Sequence, residues 1–90
     1  MTKLEEYLLN DLEYETIPNS NNAFCKRYDN YKATIWLNND HAKIEDYEFE
    51  VNQSLFFRSS VSYIQYQFEM FMEDIEDLKR FEEKWSIMAN

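Results

Sequence analysis

The chain has 90 residues, and 18 Asp and Glu against nine Lys and Arg leave it at a net charge of −9. That balance excludes direct nucleic-acid binding, because cationic side chains must displace the counterions condensed on a phosphate backbone. Gly is absent, which removes the phosphate-cradling loops of nucleotide-binding folds, and the length predicts one domain over residues 1–90.

In chain order, Thr2 followed by Glu5 has capping-box spacing. Leu4, Tyr7, Leu8 and Leu12 then recur at helical spacing, so residues 2–13 read as a short amphipathic helix. Pro18-Asn19-Ser20-Asn21-Asn22 is a loop by composition. From Ala23 to Leu37 the period changes to two, with Phe24, Tyr28, Tyr31, Ala33, Ile35 and Leu37 on one face, which predicts a hairpin turning at Asp29-Asn30. Asn38-Asn39-Asp40 predicts the next turn, since Asn adopts the left-handed conformation that Gly would otherwise supply. A third strand follows over about residues 43–51, where Tyr47, Phe49 and Val51 alternate with Asp46, Glu48 and Glu50. Ile44 falls on the wrong face for that register, which calls for a bulge near Glu45 or a late start.

Ser59 or Ser60 is a candidate cap for a final helix of about 28 residues. Ile64, Phe68, Phe71, Ile75 and Leu78 step 4-3-4-3, and the stripe then shifts to Phe81, Trp85 and Met88, which allows a kink or break near residues 79–82. Glu69, Glu73, Glu76 and Glu83 fall on the opposite side. Met70 and Met72 cannot both face the sheet beside Phe68 and Phe71. The expected fold is therefore α+β: an N-terminal helix, a three-stranded antiparallel sheet, and a long C-terminal helix packed on one face.

Charge is uneven: −4 over residues 1–17, +2 over 18–44 and −7 over 45–90. The hairpin carrying Lys26, Arg27 and Lys32 is the basic region. Seven Tyr, seven Phe and two Trp exceed what a small core needs, so some are expected at a partner interface. Cys25 is the sole cysteine and the start Met-Thr-Lys-Leu-Glu-Glu is not a basic run leading into an apolar one, so a reducing, cytoplasmic location without membrane insertion is expected.

No motif supports catalysis or a cofactor. His41 is the only His, and a Cys25–His41 pair has no third member suggested by the sequence. Its expected role is a hairpin-tip residue exposed to solvent, and that of Cys25 a half-buried strand position. Asn38, Asn39, Asp40, His41 and Glu45 offer oxygen donors in a tight turn, but a calcium loop needs a Gly at its bend and a distal bidentate Glu, so no metal is expected. The remaining candidates are the carboxylates Asp46, Glu48, Glu50, Glu69, Glu73, Glu76, Asp77 and Glu83, which could imitate a line of phosphates for a basic protein. Their ordinary role would be a solvated surface, with Glu76 and Arg80 paired along the helix. Against that stands Glu69 with Glu73, a like-charge pair at i,i+4 that costs helix stability. Trp36, Tyr47 and Tyr66 are the candidate aromatic anchors.

The helix of Leu4 to Leu12, the run Thr34-Ile-Trp-Leu-Asn-Asn-Asp40, the acidic strand 45–50 and the stripe from Glu69 to Glu83 together resemble the small acidic anti-CRISPR proteins of phages, at the level of architecture and charge. The resemblance implies a non-enzymatic inhibitor occupying the site where an RNA-guided nuclease reads its short duplex signal, carboxylates standing in for phosphates. The basic hairpin departs from a uniformly acidic surface. Two other readings share the composition: an immunity or antitoxin protein facing a basic toxin, and a homo-oligomeric accessory protein in which the basic hairpin of one copy meets the acidic helix of another.

Overall fold

A computed structural model of the chain describes residues 2–28, 30–51 and 61–88, the last stretch with side chains for 62–82. Helix α1 runs Lys3–Glu6 and widens into a π-helical turn over Tyr7–Asp11. The strands are β1 (Glu15–Thr16), β2 (Ala23–Arg27), β3 (Tyr31–Leu37) and β4 (Ile44–Val51), and α2 spans Val61–Met88. The fold is α+β, with both helices on one face of an antiparallel sheet of order β1-β2-β3-β4. Among the described residues the sheet has four strands where the sequence predicts three. The extra strand, Glu15–Thr16, is two polar residues that show no periodicity, and it forms because they meet Cys25 and Phe24 across the ladder.

The capping box forms as predicted: Glu5 N–H donates to Thr2 Oγ1 at 3.2 Å and Thr2 N–H to Glu5 Oε1 at 3.1 Å. The helix is shorter than its apolar pattern suggests. Leu12 N–H reaches back to Tyr7 C=O, Tyr14 N–H to Leu8 C=O, and Glu13 turns the chain with φ 61°. The loop at Pro18 is a tight turn in which Ser20 N–H donates to Ile17 C=O at 3.1 Å. Pro18 presets its first central position and Asn19 takes the second with φ 68°.

Strands β2 and β3 pair from Ala23↔Trp36 to Arg27↔Lys32. Tyr28 N–H donates to Tyr31 C=O at 2.9 Å at the end of the hairpin; Asp29 of the predicted turn, and the predicted caps Ser59 and Ser60, lie outside the described residues. The β3–β4 ladder shifts register between Trp36↔Asp46 and Leu37↔Ile44, leaving Glu45 as the bulged residue. The bulge rotates Ile44 onto the core face, the correction its apolar side chain demands. In the turn before it, Asn38 Oδ1 accepts from Ala42 N–H and Lys43 N–H. The left-handed residue there is His41, φ 56°, not an Asn.

Helix α2 continues without a break through 79–82. At 1.5 Å per residue it is about 42 Å long, well over the length of a seven- or eight-residue strand, so only part of it can be covered by the sheet. Phe71, Ile75 and Leu78 are buried and pack with Leu4, Leu8, Phe24, Ile35 and Leu37. Phe68, from the same predicted stripe, is 43% exposed. Met72 packs against the core and Met70 is exposed, as their spacing requires. Tyr7 stacks on Phe81 at 4.8 Å, and Ile44 N–H donates to Glu82 Oε1, which anchors the far half of α2 to α1 and the bulge.

Candidate protein-binding surfaces

Alternation along β4 divides its side chains between the two sides of the sheet. Tyr47 and Phe49 meet Phe71 of α2, with ring centroids 5.9 and 5.6 Å apart, and Phe49 also meets Phe68. Asp46, Glu48 and Glu50 consequently point away from the helices, beside Trp36, Thr34 and Lys32 of β3. On α2 the burial of Phe71, Ile75 and Leu78 turns Glu69, Glu73 and Glu76 outward on the far side of the helical layer. The predicted carboxylates therefore form two separate faces with the protein's thickness between them. A single continuous anionic patch is not formed. Glu83, the last member of the predicted row, has its side chain outside the described residues.

The two faces differ in how much charge they present. On the sheet face Glu48 has its proton affinity raised, first by the neighbouring Glu50 carboxylate, while Lys32 opposes the shift. On the helix face Glu69, Glu73 and Glu76 are exposed and have no ion pair among the described residues. Arg80 pairs with Asp77 one turn earlier, rather than with Glu76.

The anchors are also divided. Trp36 is half-buried on the sheet face, across from Asp46. Tyr47 lies beneath the edge of α2, with Lys79 Nζ 5.8 Å from its ring centre, and so belongs to neither acidic face. Tyr66 is 57% exposed on the flank of α2. Lys26 points into the fold instead of joining a basic hairpin surface: its Nζ lies 3.7 Å from Asp74 Oδ2 and 4.9 Å from the centre of the Tyr14 ring. Part of the charge complementarity between the hairpin and the helix is thus satisfied within one chain.

Apart from Tyr66, sequence reasoning missed the residues around that contact. Tyr14, Tyr28, Tyr31, Tyr63, Tyr66 and Met70 line a cleft of about 240 Å³ between the hairpin and α2, with Lys26 and Asp74 inside it. A signal existed, since at 100° per residue Asp74 sits only about 60° from Phe71, on the apolar side of the helix. Burial raises the Asp74 carboxyl above its ordinary pKa of 3.8, with Lys26 and the Tyr14 hydroxyl opposing. Burial likewise pushes the Tyr14 and Tyr31 hydroxyls well above their ordinary value.

Cys25 is fully buried rather than half-buried, between Glu15 and Thr34. His41 is not a free hairpin-tip residue: its Nδ1 lies 2.8 Å from Glu5 Oε1. Among the described residues no group of three or more His, Cys, Asp or Glu is placed to hold a metal, and no helix is long and apolar enough to cross a membrane. Comparison with protein-family models, curated proteins and solved structures gives no match.

Proposed function

We propose that the chain is a non-enzymatic acidic inhibitor that docks on a basic, nucleic-acid-binding protein, a CRISPR nuclease being the first class to test, through the outer face of α2. The observation that carries this reading is the row Glu69, Glu73 and Glu76, exposed and without a cation among the described residues, on a helix fixed by the buried Phe71, Ile75 and Leu78. A like-charge pair at i,i+4 lowers helix stability by about 0.2–0.5 kcal/mol, so a role in binding accounts for a feature that folding does not favour. The sheet face is the weaker candidate, because Lys32 stands beside its carboxylates and the neighbouring Glu50 raises the proton affinity of Glu48.

Charge spacing limits what kind of mimicry this is. Three carboxylates over two turns place one charge per roughly 5 Å along the helix, against about 3.4 Å per phosphate along one nucleic-acid strand. The row therefore supports steering and Arg or Lys pairing at a few positions, not a phosphate-by-phosphate copy.

The test is cleavage of duplex DNA by a purified RNA-guided nuclease titrated with the wild-type protein, with Glu69→Lys/Glu73→Lys/Glu76→Lys, and with Glu48→Lys/Glu50→Lys. The wild type and the sheet-face variant should inhibit, with association slowing as salt is added. The helix-face variant should associate at least about tenfold more slowly and lose that salt dependence. Unchanged inhibition by the helix-face variant rejects the docking face.

A further inference from the structure

The cleft between the β2–β3 hairpin and α2 has the parts of a cation site. Lys26 already shows how it holds a positive charge: the ammonium lies over the Tyr14 ring at 4.9 Å and beside Asp74 at 3.7 Å. That separation is long for a charge-assisted hydrogen bond, which closes to about 2.7–2.9 Å. Both the Lys26 contact and the hydrogen bond from the Tyr14 hydroxyl, at 3.3 Å, fall on Asp74 Oδ2. Asp74 Oδ1 accepts no hydrogen bond from the described residues, and the side chain keeps 22% of its surface exposed.

The outer part of the cleft is open. Tyr28 and Tyr66 are 52% and 57% exposed, and Met70 is 45% exposed. Its walls are held in place: Tyr28 stacks on Tyr31 at 4.8 Å, and the Asn30 and Gln67 side chains exchange hydrogen bonds between the hairpin and the helix. The volume of about 240 Å³ is below the range of pockets that enclose whole small molecules, about 300–1,000 Å³, and suits one inserted side chain.

We propose that this cleft receives an arginine side chain of the basic partner, its guanidinium lying against the tyrosine rings and donating to Asp74 Oδ1. Arginine fits better than lysine because its planar group stacks on aromatic faces and keeps donors free at its edge. Asp77, the next carboxylate along this flank, is paired with Arg80, so Asp74 is the carboxylate that meets the inserted group. The inference rests on the proposed function for the source of the cation, while the cleft itself can be tested without any macromolecular partner.

The probe is N-acetyl-arginine amide titrated into the protein and followed by amide resonances, with N-acetyl-norleucine amide as the uncharged comparison. Saturable shifts at Lys26, Tyr66, Met70 and Asp74 are expected with the arginine amide alone. Tyr66→Ala, an exposed position whose change should leave the fold intact, should weaken that binding about threefold to thirtyfold. Glu69→Lys/Glu73→Lys/Glu76→Lys should keep saturable binding at the same resonances, so a failure of the helix-face docking and a failure of the cleft give different results. No saturable shift, equal response to the norleucine amide, or unchanged affinity in Tyr66→Ala overturns the proposal.

Discussion

His41 and Glu5 show how a chain without glycine closes its turns and what else those turns then do. Positive φ falls on Glu13, Asn19 and His41 among the described residues. Asn is a ready substitute for Gly in that region and His an enriched one, whereas Glu13 is there because the π-helical turn forces a reversal. At His41 the left-handed backbone allows the ring to reach Glu5 Oε1 at 2.8 Å, while Thr2 Oγ1 donates to His41 C=O at 2.7 Å. The capping box is thereby tied to the β3–β4 turn. Burial alone would raise the Glu5 carboxyl, but the Thr2 N–H and His41 overcome it and hold it below its ordinary 4.5. A carboxylate with a depressed folded-state pKa contributes stability that is complete above the unfolded value and is lost as pH falls through the folded one. Glu5→Gln should therefore flatten the decline in melting temperature on acidification below about pH 4.5, measured against wild type by circular dichroism at fixed ionic strength. An unchanged acid limb would show that this contact contributes nothing to folding. Asp74, raised by burial, acts with the opposite sign, favouring the folded state as pH falls toward 3.8, and so does not imitate the effect.

Among the elements, α2 carries two demands that conflict. Its inner face is fixed by Phe71, Ile75 and Leu78, while its outer face places Glu69 and Glu73 one turn apart without a cation among the described residues. Glu73→Lys removes that repulsion and adds a favourable Glu-to-Lys pair at i,i+4, each worth about 0.2–0.5 kcal/mol, so it should raise stability by about 0.4–1 kcal/mol. Denaturant unfolding measures the gain, and the same variant should inhibit less well. A loss of stability would mean that Glu73 has a folding role. The element order and the strand register were largely legible, because they rest on period. Ile44 out of phase with Tyr47 and Phe49 called for a bulge near Glu45 or a late start, and the bulge is what forms; the spacing of Met70 and Met72 required that both not face the sheet, and Met70 is the exposed one. Strand β1 was not legible, since Glu15 and Thr16 have no pattern and pair only because β2 is beside them. The tyrosine cleft was hidden for a similar reason: its walls come from residue 14, the hairpin and α2, and nothing local to any one of them marks the meeting point. The opposition of the two acidic faces was implicit in the alternation of β4, for once a helix covers Tyr47 and Phe49 the intervening carboxylates must point away from it.

For the whole molecule the question is which way an excess of negative charge acts when it is divided between two faces. Cations close to acids are few among the described residues, and two of the pairs, Lys3–Glu6 and Asp77–Arg80, are exposed contacts along a helix. Such pairs are worth only a few tenths of a kcal/mol and are themselves screened by salt. Repulsion summed over a net charge of −9 is the larger quantity, and it too fades as the Debye length shrinks from about 30 Å at 0.01 M to about 8 Å at 0.15 M. Screening should therefore relieve more repulsion than it removes attraction. If the balance is roughly 0.5–1 kcal/mol, the melting temperature should rise by about 2–8 °C between those salt concentrations, since 1 kcal/mol corresponds to about 4–8 °C for a domain of this size. Sodium chloride is the salt to use, because sulfate would add a stabilising effect of surface exclusion unrelated to charge. The Glu69→Lys/Glu73→Lys/Glu76→Lys variant brings the net charge from −9 to −3 and should show a smaller rise. A melting temperature that falls with salt would mean that specific ion pairs outweigh the general repulsion, and the unpaired carboxylates of α2 would then carry no destabilising load for a partner to relieve.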